Sequence, residues 1–414
     1  MRAVRPAALC ATVLGVIAAL VVPAGPAFAD DIRDKQWWVK TLELDAVHQI
    51  TQGEGITVAV IDSGVDADHP DLKGNVLPGV DFADEKTKGQ QDRNGHGTAM
   101  AALIAGHGHG PGNRDGIIGI APKAKILPVN VEAKNKVIAP KAIAAGILWA
   151  VDQGADVINV SLSSGHDDDL SAAVERAYDK NIILVAATGN QSDSASFIIG
   201  APADHPGAMA VSGTDKQGGP SRENIQAEQT DIAAPGVDIV TAAPDGRYAT
   251  STGNSDATAI VSGAVALVRA EYPDLSSRDM FKRVLETTRD AGRPGHDEEY
   301  GWGILDLKNA LTGQPDGRND KEADPTDAAI PSYAREEGNG GDAEVVIIVV
   351  GFWLGILLLI GGLVFLLVRR SRRKRRATEA AVPVGAAVGG GQAPGPAAPS
   401  PVQDESAWRR PPST

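Results

Sequence analysis

Between residues 56 and 213, apolar side chains fall in short, nearly unbroken runs separated by polar, glycine-containing stretches. The runs are ITVAVID (56–62), AKILPVNV (124–131), DVINVSLS (156–163), NIILVAA (181–187) and AMAVSG (208–213). They are too short for ordinary helices. A strand with one wet face would alternate apolar and polar residues, whereas a strand covered on both faces need not. The pattern therefore predicts parallel strands sandwiched between helices, and residues 139–153 and 170–180 read as two of those helices. Asp167-Asp168-Asp169, just ahead of Leu170, admits a calcium reading, but acid residues at a helix N-terminus explain it more simply. The expected class is α/β: a three-layer domain with a mostly parallel central sheet.

Two longer apolar runs have a different character. The chain opens with Arg2 and Arg5, continues through an uncharged core over 7–22, and reaches Ala27-Phe28-Ala29 before Asp30. That is the layout of a secretory signal, so 1–29 is expected to be removed. Residues 345–368 carry no charge and, at about 1.5 Å per residue, are long enough to cross a bilayer as one transmembrane helix. RRSRRKRR (369–376) follows at once, as expected for the cytoplasmic flank of such a helix. The expected layout is a signal peptide (1–29), an N-terminal extension (30–54), a catalytic domain (55–312), a flexible acidic stalk (313–343), the membrane helix (345–368), and a basic flank with a disordered tail (369–414). The large domain then faces away from the cytoplasm in a single-pass membrane protein.

Charge and cysteine usage narrow the chemistry. The 414 residues carry a formal charge of −14, but residues 30–344 alone carry −22. Such a surface repels phosphate backbones, so no nucleic-acid partner is expected. The single cysteine, Cys10, lies in the signal run, so the processed chain has no disulfide, thiolate metal site or cysteine nucleophile.

Three segments carry polar residues suited to catalysis. Asp62 closes the first strand in VAVIDSGVD, His96 sits between Gly95 and Gly97 in NGHGTAMA, and Ser255 opens an apparent helix in GNSDATAIVSGAVALV. Singly, each is an ordinary turn or cap. Jointly, they supply what a serine nucleophile needs: an imidazole to take its proton and a carboxylate to orient that imidazole. Asn190, just after the strand ending in VAATG, could supply an oxyanion donor beside the backbone N–H of Ser255. His107 and His109, in GHGHGPGN, show no carboxylate partner in the sequence and read as a solvated loop.

The segments VAVIDSGVDADHPDL, NGHGTAMA, DVINVSLSSG, VAATGN and GNSDATAIVSGAVALV resemble, in order and spacing, the motifs of the subtilisin-like serine proteases over about 45–312. The resemblance implies a subtilisin-like fold, a catalytic Asp62, His96 and Ser255, and Asn190 as oxyanion donor. It further implies that Ser161, Leu162 and Ser163 pair with substrate backbone, while Ala187, Thr188 and Gly189 wall the first specificity pocket. The whole layout is most like a mycosin, the membrane-anchored protease of type VII secretion systems, although mycosins commonly carry disulfides. The family's serine motif reads Gly-Thr-Ser-x-Ala-x-Pro; here it is Gly253-Asn254-Ser255-Asp256-Ala257-Thr258-Ala259. Asp256, at a helix start, is expected to be ionised and close enough to raise the pKa of His96.

The function expected is extracytoplasmic serine endopeptidase activity on protein substrates, alongside type VII secretion machinery. That chemistry needs no metal or organic cofactor. The alternative is a structural or docking component of a secretion complex with weak or no proteolysis; a surface adhesin has only the stalk in its favour.

Overall fold

The computed structural model describes residues 31–133, 138–192 and 198–317. The expected signal, most of the stalk, the apolar run 345–368 and the basic tail lie outside the described residues. Among the described residues, no helix is long and apolar enough to cross a membrane.

In chain order, the strands are β1 (Thr57–Asp62), β2 (Val80–Asp81), β3 (His107–His109), β4 (Asp115–Ile118), β5 (Lys125–Asn130), β6 (Val157–Val160), β7 (Ile183–Ala187), β8 (Ala208–Thr214), β9 (Ile232–Pro235), β10 (Ile239–Ala243) and β11 (Arg247–Ser251). The helices are α1 (Asp31–Lys35), α2 (Trp37–Thr41), α3 (Leu44–Val47), α4 (His96–Ala105), α5 (Pro140–Asp152), α6 (Asp168–Asp179), α7 (Asn254–Glu271), α8 (Ser277–Glu286) and α9 (Leu307–Thr312). Seven strands form the main sheet in the order β2-β5-β1-β6-β7-β8-β9, and each neighbouring pair is parallel.

Strand periodicity sends the apolar runs into two layers. Val58, Val60, Ile126, Val157 and Val185 face one core with α4 and α7; Ala59, Ile61, Leu127, Ile158 and Leu184 face the other with α5 and α6. This is the three-layer, mostly parallel α/β arrangement that the unbroken apolar runs predict. The aspartate run caps α6 as the simpler reading expects, with the Asp167 side chain accepting from the Asp169 N–H. The small residues of α7 let it lie deep in its layer: a Cβ added at Gly263 would come within 2.5 Å of the Ile120 Cβ.

The extension ahead of the domain is part of it. Trp38, Leu42, Leu44 and Val47 are buried in the same core as α4 and α7. Gln36 donates to Ile118 O at 3.1 Å and accepts from Ile118 N at 3.0 Å, and Arg33 Nε donates to Gly116 O at 2.9 Å. A helix as short as α2 gains little from its own hydrogen bonds; tertiary burial holds it in place.

Candidate active site

In an open parallel sheet, polar residues that leave the carboxyl ends of neighbouring strands converge on a common crevice. Here β1, β6 and β7 end beside one another in the sheet. Asp62 is the last residue of β1, Ser161 follows β6, and Asn190 lies three residues beyond β7. A cleft of about 1140 Å³ is lined by Asp62, His96, Ser161, Asn190, Ser255 and Asp256 among others.

His96 opens α4. Gly95, the N-cap, has φ +102°, a conformation that a side chain would resist. Gly97 follows because a Cβ there would lie 2.1 Å from Gly64 O. The imidazole Nδ1 is 2.8 Å from Asp62 Oδ2 and 2.9 Å from Oδ1. Asp62 is buried, and its Oδ1 also accepts from the Ser63 N–H at 2.8 Å. A carboxylate so placed fixes the proton on Nδ1 and leaves Nε2 as the working nitrogen.

Asp92, which sequence reading missed, ties this loop together. Its Oδ1 accepts from Ser63 Oγ, Asn94 N and Gly95 N, and its Oδ2 accepts from Thr98 N and Thr98 Oγ1 at 2.9 and 2.7 Å. The sequence held little signal for it, because Asp92 lies three residues before the Gly95 N-cap and meets Thr98 only once the loop has closed. Burial works to lower the His96 pKa. The charge and hydrogen bond of Asp62, followed by the charges of Asp256 and Asp92, overrule it and hold the imidazole at about 9.

Ser255 lies in the first turn of α7. Its Oγ donates to Ser161 O at 3.1 Å rather than to His96, a departure from the pairing that sequence reasoning anticipated. Ser161 Oγ in turn donates to Ser255 O at 3.1 Å, locking the segment after β6 against the start of α7. Leu162 and Ser163 line the same cleft, as do Ala187 and Gly189. Thr188 does not; it is fully buried, donates to Val211 O and accepts from Asn254 Nδ2.

Asn190 Oδ1 accepts from the Asn254 N–H at 2.9 Å, which fixes the direction of the amide. Asn254, where the family motif has Thr, donates Nδ2–H to Thr188 Oγ1 at 3.0 Å and to Gly189 O at 2.6 Å. It therefore staples the wall of the cleft to the start of α7. Its Oδ1 is buried without a partner.

Two expectations are corrected. Asp256 is 2% exposed, and burial pushes its carboxyl up to about 7, against the hydrogen bond from Ser251 and the His96 charge. Desolvation thus raises the pH at which Asp256 ionises above that of an ordinary carboxyl, and its charge still raises the pKa of His96 as expected. His107 and His109 form β3, paired antiparallel with β4, rather than a solvated loop. His109 Nδ1 lies 2.6 Å from Oδ1 of Asp71, a fully buried carboxylate that also accepts from Ile117 N at 2.8 Å and Tyr248 OH at 3.1 Å. That partner is 38 residues away in sequence and meets the histidine only through the turn after β1. Among the described residues, no group of three or more His, Cys, Asp or Glu side chains is placed to hold a metal ion.

The family model described as Subtilase family (Peptidase_S8) matches residues 53–303. Thermitase from Thermoactinomyces vulgaris is 35% identical over 257 residues, covering 62% of this chain and 88% of its own. Two solved structures are similar. MycP1, solved with its N-terminal propeptide removed, aligns at TM-score 0.59 and 28% identity, covering 67% of this chain and 97% of its own. MycP3, described as a protease from the type VII (ESX-3) secretion system, aligns at TM-score 0.59 and 32% identity, covering 67% of this chain and 88% of its own.

Proposed function

The chain belongs to the subtilase family of serine proteases, and from that premise we propose that it is a membrane-anchored, extracytoplasmic endopeptidase associated with type VII secretion. The observation that carries the catalytic part is the bidentate contact of His96 Nδ1 with the buried Asp62, in the same cleft as Ser255. In this reading neutral His96 takes the proton of Ser255 Oγ as that oxygen attacks a peptide carbonyl carbon. Asp62 holds the resulting imidazolium, while Asn190 and the Ser255 N–H receive the oxyanion. His96 then returns the proton to the leaving amine. Water reverses the sequence on the acyl-enzyme.

Substrate would lie along Ser161-Leu162-Ser163, its first side chain between that segment and Ala187 and Gly189. The Ser161 carbonyl that now holds the Ser255 hydroxyl is then needed by substrate, so binding would release the nucleophile. Membrane anchoring rests on the signal-like start, the uncharged run 345–368 and the basic flank; in this reading the domain lies outside the cytoplasm and the tail inside. Association with type VII secretion rests on the likeness to MycP1 and MycP3.

The test is labelling of the full chain with a serine-directed phosphonate, together with peptide hydrolysis, for wild type and Ser255→Ala. Labelling and turnover that both vanish in the variant support the reading; equal behaviour of the two proteins overturns it. Protease treatment of intact and opened cells checks the orientation: residues 377–414 should be cut only once cells are opened. One observation favours the alternative of a docking component with weak or no proteolysis: Ser255 is bonded away from His96. A wild type that is secretion-competent yet unlabelled would select it.

A further inference from the structure

The proposed mechanism leaves Asp256 without a task, yet its placement is costly. It stands in the first turn of α7, one residue from Ser255, is 2% exposed, and lines the same cleft as His96. A carboxyl group in such a place loses hydration that an apolar side chain would never have had. Ser251, at the end of β11, anchors it by donating Oγ–H to Asp256 Oδ1 at 2.8 Å, while the other acceptor within reach, Ile239 O, is 3.5 Å away. The hydroxyl proton thus sits on the carboxylate side. Protonation of Asp256 would reverse that bond, making the carboxyl the donor and turning the hydroxyl toward Ile239.

The charged groups facing His96 are Asp62 from β1, Asp92 from the loop ahead of α4, and Asp256 from α7. Facing Asp256 are His96 from α4 and the uncharged Ser251 from β11. Each charge acting on the imidazole is negative.

We propose that Asp256 is a positioning residue for the reaction: held by Ser251 beside the nucleophile, its carboxylate is a second counter-charge to the His96 imidazolium, in addition to Asp62. The inference rests on the roles proposed above for Ser255 and His96. As the Ser255 Oγ–C bond forms, the hydroxyl proton passes to His96 Nε2 and the carbonyl electron pair moves to oxygen. The positive charge created on the imidazole then lies among carboxylates, of which Asp62 and Asp256 are themselves buried, where charge interactions are strengthened. The same field acts on the resting enzyme, keeping the imidazole protonated to higher pH and delaying the appearance of the base. Burial raises Asp256 only to about 7, and His96 releases its proton at about 9, so Asp256 is already charged over the range in which the base forms. Its influence on His96 is smaller than that of Asp62, which adds a direct hydrogen bond.

The experiment is kcat/KM against pH for the full chain as wild type, Asp256→Asn and Asp256→Ser, with phosphonate labelling rates over the same range. Asn keeps the shape and the hydrogen bond while removing the charge; Ser removes both. In each variant the acidic limb should move to lower pH by about one unit, in hydrolysis and labelling alike, with KM little changed. The rate at the alkaline plateau should fall by about three- to tenfold, because the imidazolium has lost a counter-charge. A merely structural role would lower the plateau without moving the limb. An active wild type whose limb stays in place in both variants overturns this inference alone. If wild type and Ser255→Ala are equally inert, the functional reading falls and this inference with it.

Discussion

A serine hydroxyl attacks an amide only when a neighbouring base removes its proton, so the cleanest consequence of the site concerns Ser255. Replacing it with Ala should lower kcat by about 10⁶, the loss known for the same change in the related subtilisin, while circular dichroism shows an unchanged fold. His96→Ala should be as inactive but less stable, since it strands the buried Asp62 carboxylate. Asn190→Ala should cost less, on the order of 10²–10³ in kcat, because the Ser255 N–H remains as a donor. Activity equal to wild type there would mean that the oxyanion sits elsewhere. Asp256 also bears on stability. Its folded pKa of about 7 lies above the ordinary 3.8, so its favourable contribution is complete below pH 4 and is lost as pH rises through 7. Asp256→Asn should therefore stabilise the protein relative to wild type at pH 8 and not at pH 4, by at most about 4 kcal/mol. Urea unfolding at the two pH values measures it; a pH-independent difference would show that the carboxyl is not perturbed by burial.

The extension formed by α1, α2 and α3 belongs to the core that supports α4 and α7. Trp38 is fully buried, so Trp38→Ala should destabilise the protein by about 3–5 kcal/mol. Its indole N–H has no partner, so Trp38→Phe should cost distinctly less. Removing the extension would uncover Trp38, Leu42, Leu44 and Val47 together. Intact-mass analysis of the active enzyme should accordingly find a chain beginning near Asp30, not near Gly55. The turn after β1, strand β3 and strand β11 are tied in the same manner by Asp71, which binds His109 and Tyr248. Asp71→Ala should cost about 3 kcal/mol, because the buried Ile117 N–H loses its acceptor and the contacts to His109 and Tyr248 go with it. A shift in unfolding midpoint within experimental error would show that these contacts contribute nothing net.

At the scale of the molecule the dominant feature is charge. Residues 31–317 carry a net −16, and like charges held together on a folded domain favour expansion. Raising ionic strength from about 0.1 M to 1 M shortens the screening length from about 10 Å to about 3 Å. Sodium chloride should therefore raise the unfolding temperature of the processed chain by several degrees, and a flat or falling dependence would show that self-repulsion is not significant. Removal of residues 1–29 would take away Cys10, the single cysteine, and reductant should then leave that temperature unchanged.

Reading by sequence succeeded where a local pattern has one physical solution. Nearly unbroken apolar runs of six to eight residues are readily buried on both faces as strands in a covered sheet, and β1, β5, β6, β7 and β8 form on those runs. Asp62, His96 and Ser255 were singled out because each stands beside glycines or small residues at the end of an element, and the fold brings the three to one cleft. What remained hidden depends on partners distant in sequence. His109 reads as a loop residue until the fold brings Asp71 beneath it. Asp92 is one acid among many until its five hydrogen-bond donors converge. Asp256 at a helix start has every local reason to ionise at an ordinary pH; only the packing around it decides that burial raises that pH. Nor could the sequence foresee that the Ser255 hydroxyl rests on the Ser161 carbonyl, because the segment after β6 and the start of α7 meet only in the fold. Periodicity and motif are properties of neighbours along the chain, whereas burial, and the electrostatics that burial controls, belong to neighbours in space.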